Sequence, residues 1–308
     1  MIAQGKSTPV DAPRVYEAFG LHLRTTLDLP APRMHLSRAD WELQVDAAID
    51  LPTEGNDSAL VVADDQSTVF TVERFARIRF HRPSVMIQPA RGLQAQHLVN
   101  LTTGSLTALL LAHTGQFVLH GSTLERNNQL VIICGHAGAG KSTQTAYMAS
   151  KSWRFFADDV APIQWHDGVA MMRPGYDRLR LRPDAFALLG LNPELSPPLY
   201  HGAQKRLVTP GIPRTEAGRP AKIAGVLILD EQPGFEARRL SGREAMLAIL
   251  NLQHPAASLV ADSSPALRIR TFRDCTEFVR SIPILGIRRE KTPDNLARTM
   301  EVAAGLVH

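Results

Sequence analysis

Nine residues, Gly135-His136-Ala137-Gly138-Ala139-Gly140-Lys141-Ser142-Thr143, constrain this chain more than any other stretch. They fit the phosphate-loop pattern G-x-x-x-x-G-K-[ST], and the flanks supply the context that gives the pattern physical meaning. Leu130-Val131-Ile132-Ile133-Cys134 is short, apolar and rich in β-branched residues, as a buried strand is. Residues 142–150 contain no Gly or Pro and read as a helix. In such a strand–loop–helix the glycines let backbone N–H groups turn inward around phosphate oxygens, and the helix N-terminus adds its positive dipole end. Lys141 then reaches the β- and γ-phosphates, and the Ser142 hydroxyl takes a place on Mg²⁺. The alternative is a glycine-rich turn with an incidental Lys.

A chain of 308 residues has room for one large domain or two smaller ones. Its 44% hydrophobic and 21% charged residues place it among globular rather than disordered chains. The net charge of +4 is small and spread out, which gives little ground for a nucleic-acid partner. Two cysteines, Cys134 and Cys275, make no disulfide framework and suggest no metal site. Cys134 falls in the strand before the loop, where a buried reduced thiol is expected. The most apolar run, residues 106–112, is too short to span a bilayer, and residues 1–13 lack the apolar centre of a signal peptide. The expectation is a cytoplasmic protein with no membrane or nucleic-acid partner.

The chain divides into three expected parts: a polar, flexible start at residues 1–13, a small β-rich module at 14–93, and an α/β catalytic domain at 94–308. In the module, runs at 16–23, 41–45, 59–62, 69–72, 76–80 and 85–87 alternate like strands of a mostly antiparallel sheet, with a turn cluster at 52–57. Residues 94–114 read as helical, with Gly104 arguing against one unbroken helix. Strand-like runs at 117–124 and 130–134 flank Arg126-Asn127-Asn128-Gln129, a β-hairpin leading straight into the loop. After the loop helix, the strand Trp153-Arg154-Phe155-Phe156-Ala157 ends in Asp158-Asp159, and a second hairpin covers 160–172. Residues 192–220, rich in Pro and Gly, read as a surface excursion. Residues 224–229 form a core strand ending at Asp230. Ser241 with Glu244 makes a capping box for a helix to residue 252. A helix at 268–280, a strand at 282–287 and a last helix opening at Thr292-Pro293-Asp294 complete the pattern.

Four features join the loop as candidate chemistry. Asp158-Asp159, at a strand end close behind the loop, offers one carboxylate for a reacting hydroxyl and one for a metal. The plain alternative is a solvated strand-to-turn junction. Asp230 is a rival for the magnesium, because a hydrophobic strand followed by Asp is the more usual pattern. His120 is a candidate for the γ-phosphate, or else a hydrogen-bonded structural residue. Arg178, Arg180 and Arg182 alternate along an extended segment and, with Lys205 and Arg206, form a candidate anion-facing set; a charged sheet edge is the alternative.

The combination Leu119-His120-Gly121-Ser122, then residues 135–143, then Phe156-Ala157-Asp158-Asp159 resembles the catalytic domain of HPr kinase/phosphorylase. The match runs over residues 117–160 and more loosely beyond. That resemblance implies a P-loop kinase that phosphorylates a serine hydroxyl on a small protein with ATP and Mg²⁺. It implies that Lys141 and Ser142 serve the phosphates and metal, and that His120 and the Asp pair surround acceptor and γ-phosphate. Asp158 is then the base and Asp159 the metal-side partner. The family's own N-terminal domain has no counterpart in residues 14–89, and its phosphorolysis motif is not evident after Val160. The layout is more similar to the HPr-kinase-like proteins of bacterial peptide-modification clusters, including lasso-peptide kinases, which phosphorylate a serine of a precursor peptide. There, residues 175–184 and Lys205-Arg206 have counterparts, implying a substrate or phosphate role for Arg178, Arg180, Lys205 and Arg206. The family's ring-like assemblies imply self-association. The competing expectations are a nucleotide-dependent regulatory or binding module without phosphotransfer, and a small-molecule kinase.

Overall fold

The computed structural model describes residues 12–50, 59–62, 68–72, 75–199, 203–208, 219–263 and 265–307. Most of the polar start, the turn cluster at 52–57 and parts of the 192–220 excursion lie outside the described residues. Two compact units divide the chain: Met1–Glu17 with Leu21–Ala95, and Ala18–Gly20 with Gln96–His308.

The first unit is built on one sheet. Its strands are β1 (Arg14–Ala18), β2 (Leu21–Thr25), β3 (Arg33–Met34), β4 (Trp41–Val45), β5 (Ala59–Val62), β6 (Thr68–Val72), β7 (Ala76–His81) and β8 (Ser84–Pro89). They lie in the order β3-β1-β2-β4-β8-β7-β6-β5. Period-2 patterning drives it: in β7, Ala76, Ile78 and Phe80 are buried while the residues between them face out. The β2–β4 and β4–β8 pairs are parallel, which alternation cannot reveal because both pairings bury every second residue alike.

The second unit opens with α1 (Ala95–Leu101) and α2 (Thr107–His113), joined by a π-helical turn over Thr102–Leu106 that contains Gly104. Next come β9 (Phe117–Arg126), β10 (Gln129–Gly135), α3 (Lys141–Ala149), β11 (Arg154–Ala157), β12 (Val160–His166), β13 (Val169–Met172), β14 (Leu179–Leu181), α4 (Pro183–Leu189) and β15 (Arg206–Val208). β16 (Ala221–Glu231), β17 (Phe235–Arg239), α5 (Gly242–Asn251), α6 (Pro255–Asp262), α7 (Pro265–Ser281), β18 (Ile284–Arg289) and α8 (Pro293–Ala304) complete it. β9 and β10 form an antiparallel hairpin whose turn residues Asn127 and Asn128 both have positive φ, a conformation that Asn tolerates and a tight hairpin requires. β10 then pairs in parallel with β16, and β16 in parallel with β18. Because β13 links β12 back to β16, the strands β9, β10, β16, β13 and β12 pair in a closed ring.

The core lies between this sheet and the helices α3 and α8. Val131, Ile133, Met148, Trp153, Leu227, Leu229, Ile287 and Ala303 are all buried there, and Gln144 of α3 donates to the Leu296 carbonyl of α8 at 3.0 Å. Helix α5 carries the capping box of Ser241 and Glu244. Gly121 is required by packing: a Cβ there would lie 2.9 Å from the Ile133 carbonyl oxygen and 3.0 Å from Cys134 Sγ. Gly121→Ala is expected to cost about 1–3 kcal/mol of stability, as overpacking does. Urea denaturation reads this directly, and an unchanged midpoint would contradict the packing.

Candidate functional site

The length of β9 sets the geometry of the site. Its C-terminal half, residues 123–125, pairs with β11, and its N-terminal half, residues 117–120, pairs with β12. The break between those two partners falls opposite Gly121 and Ser122, and Asp158-Asp159 occupies that break. Ser122 Oγ accordingly donates to Asp158 Oδ1 at 2.6 Å. Asp159 bends the chain between β11 and β12, which run the same way along β9, with φ of +76°, a left-handed conformation that costs a non-glycine residue about 1–3 kcal/mol and that its surroundings must offset.

Those surroundings are present. Arg180, the middle residue of β14, spans both carboxylates: its Nη2 lies 2.6 Å from Asp159 Oδ2 and its Nε 3.5 Å from Asp158 Oδ2, to which its backbone N–H also donates at 3.3 Å. His120 Nδ1 lies 3.3 Å from Asp159 Oδ1 and 3.2 Å from the Asp159 carbonyl oxygen. His254 is the N-cap of α6. It is brought alongside because residues 252–254 run against the free edge of β9, with His120 N–H donating to the Leu252 carbonyl and His254 N–H to the Val118 carbonyl. The two imidazoles meet edge-on, centroids 5.6 Å apart. Gly104 closes the far side, where a Cβ would come within 2.9 Å of Asp159 Oδ2.

These contacts decide the electrostatics. Burial alone would raise the Asp159 carboxyl, but Arg180 and His254 outweigh it and hold the group well below the usual carboxylate range. Burial pushes His120 down, with Asp159 partly opposing, so its imidazole is neutral at pH 7. Burial also lowers Lys141, whose Nζ is held by the Gly135 and His136 carbonyls at 2.7 and 3.2 Å.

The phosphate loop faces this cluster across one cavity of about 170 Å³. Gly138, Gly140, Lys141, Ser142 and Thr143 line it on one side, and His120, Asp158, Asp159 and Arg180 on the other. Arg182, Lys205 and Lys291 add positive charge to its wall. Gly135, Gly138 and Gly140 all have positive φ, the freedom the loop needs to turn its N–H groups inward. A roomier cavity of about 570 Å³ lies at the β9–β10 turn, beside Arg126, Asn127 and Arg154. Its lining holds no phosphate loop and one carboxylate, Glu125, so its size does not make it the chemical centre.

No protein-family model and no curated protein matches the chain. Among solved structures, the HPr(Ser) kinase/phosphatase from Coxiella burnetii aligns over 61% of this chain and 98% of its own, at 10% identity and a TM-score of 0.29. A superposition that loose carries no inference about this chain's chemistry.

Not every residue singled out in the sequence reaches the cavity. Arg178 is buried instead, bonded to Asn100 and to Thr103 Oγ1, and Arg206 donates to the Pro193 and Ser196 carbonyls at 3.1 and 2.9 Å. Of the face expected of Arg178, Arg180 and Arg182, the last two do share the cavity wall; Arg178 does not, because it precedes the three-residue β14 and is held by Asn100 and Thr103. Asp230 is exposed and is not part of the cavity wall. His254 and Gly104 belong to the site without any motif that marks them for it. Pro255 at the first position of a helix was the one signal near His254.

Ser142, Asp158 and Asp159 are the hard oxygen donors that Mg²⁺ takes, and all three line the cavity. His120, Asp159 and His254 also place three ligand atoms within 4.8 Å of one another. His254 Nδ1, however, accepts the Ala256 N–H at 3.2 Å, so its Nε2 carries the proton and faces Asp159 Oδ2 at 3.9 Å. That proton makes His254 a brace for Asp159 rather than a metal ligand.

The burial of neutral His120 carries a pH signature. The unfolded chain takes up a proton near pH 6.5 while the folded chain resists it, so this residue lowers stability as pH falls through 6.5. His120→Gln is expected to lose stability less steeply than wild type below pH 6.5, measured by urea denaturation between pH 7.5 and 5. Parallel curves would contradict a buried, neutral imidazole.

Proposed function

We propose that this protein is a Mg·ATP-dependent kinase transferring the γ-phosphoryl group to a serine-type hydroxyl on a peptide or small protein. The observation that carries the reading is a shared cavity: the loop residues Lys141 and Ser142 face Asp158, Asp159 and His120 across about 170 Å³. A loop that only held nucleotide has less need of two carboxylates and an imidazole opposite its lysine. The peptide or small-protein acceptor rests on the resemblance carried by residues 119–122, 135–143 and 156–159.

In this reading the polyphosphate lies on the loop N–H groups and the N-terminus of α3. Lys141 exchanges its two carbonyl partners for phosphate oxygens. Ser142 and Asp159 would hold Mg²⁺, which would supply charge neutralisation of the phosphates. Asp159 is strongly acidic and stays ionised, which suits a charge partner and not a proton acceptor. Asp158 is left as the base, oriented by Ser122 and by the Arg180 N–H. The acceptor oxygen forms its bond to the γ-phosphorus as the bond to the ADP oxygen breaks, the electron pair leaves with ADP, and the hydroxyl proton passes to Asp158. Arg180, freed in part from the carboxylates, is placed to meet charge on the transferring group.

One observation favours a regulatory nucleotide-binding module instead: Arg180 engages both carboxylates at once. Transfer of label from γ-³²P-ATP to seryl peptides separates the two. Wild type is expected to label, and Asp158→Asn to fall by roughly 100-fold or more, the scale of a lost general base. Undiminished transfer by Asp158→Asn would remove the base assignment, and nucleotide binding without labelling across a precursor-peptide panel would favour the module.

A further inference from the structure

The strand order gives the phosphate loop two flanks. On one side of β10, through β9, lie the carboxylates and Arg180. On the other, through β16, lies β18 with the turn into α8. The chemistry above uses the first flank and leaves the second unexplained.

Arg289, the last residue of β18, is 1% exposed, and its Nε and Nη2 have no hydrogen-bond partner among the described residues. Only Nη1 has one, the Glu290 carbonyl at 3.4 Å. A buried guanidinium left so poorly compensated is costly, and it is retained where an anion completes it. Glu231 is its partner in the β16–β18 register, yet that carboxylate is held by Lys291 Nζ at 2.6 Å. Both cations press on the last glycine of the loop. A Cβ on Gly140 would lie 3.2 Å from Lys291 Cε and 3.4 Å from Arg289 Nη2. Lys291 also lines the cavity.

We propose that Lys291, backed by Arg289, forms a second cationic wall that binds the inner phosphates of the nucleotide, and that the Glu231–Lys291 pair is a latch that opens when they arrive. The inference rests on the nucleotide-binding reading and adds a direction to it. With the transferable phosphate turned toward Asp158 and Asp159, the phosphates nearer the nucleoside lie toward Gly140 and β18. They give Lys291 a partner in place of Glu231 and bring negative charge beside the buried Arg289, which lies behind Gly140 and does not itself line the cavity.

The test is calorimetric binding of ADP and of a non-hydrolysable ATP analogue to wild type, Lys291→Met, Arg289→Met, Glu231→Gln and Lys141→Ala. Lys291→Met is expected to weaken both nucleotides by the same factor, roughly tenfold or more, as loss of a charge-assisted contact does. Glu231→Gln is expected to tighten both by about two- to fivefold, since it frees Lys291 from an ion pair of modest strength. Arg289→Met is expected to weaken both while the nucleotide-free protein melts no lower than wild type, because an uncompensated buried charge has gone. Weakening of the ATP analogue alone, or unchanged binding by Lys291→Met and Arg289→Met, would overturn the proposal. If wild type binds and Lys141→Ala does not, while Lys291→Met binds as wild type, the nucleotide-binding reading stands and this inference alone fails. If wild type binds neither nucleotide, both fail.

Discussion

Arg180 bridges Asp158 and Asp159, and the site depends on that bridge. Two adjacent carboxylates withdrawn from water repel each other and are each costly to desolvate. A planar guanidinium that reaches both, with the His254 Nε2 proton behind, is what lets the chain hold them side by side. The same contacts allow Asp159 its left-handed backbone. The two acids differ in what else they touch: Asp159 also has the imidazoles of His120 and His254 beside it, whereas the other partners of Asp158 are the Ser122 hydroxyl and a backbone N–H.

The bridge in turn depends on β9. A ten-residue strand with one partner along its first half and another along its second leaves a gap in the middle, and the gap is filled by the bend that carries both aspartates. Gly121 at that gap lets the hairpin strand β10 lie close, and β10 ends in the phosphate loop. One strand therefore registers the loop against the carboxylates, and the distance between them follows from backbone pairing rather than from flexible side chains.

Some of this is legible in the residues. The strand–loop–helix around residues 135–143 is announced by local signals on both sides, Asn127-Asn128 by a turn chemistry few residues tolerate, and Ser241 with Glu244 by a local capping rule. What was hidden depends on distant packing. Gly104 reads as a weak point in a helix, yet its missing side chain makes room for a carboxylate 55 positions later. His254 has no motif, because its role comes from a strand-edge contact with β9. Asp230 fits the metal-binding strand pattern better than Asp158 does, and only the pairing of strands shows that its carboxylate lies off the cavity. Alternation over residues 178–182 holds for Arg180 and Arg182 and misleads at Arg178, which lies outside the three-residue strand.

The central claim is that loop and carboxylates form one site, with the transferable phosphate turned toward the aspartates. A crystal structure with Mg²⁺ and a non-hydrolysable ATP analogue measures this most directly. The account predicts a γ-phosphate between Lys141 and the Asp158–Asp159 pair, within reach of Arg180. A nucleotide whose terminal phosphate points toward Asp230, or one bound away from the loop, would contradict it.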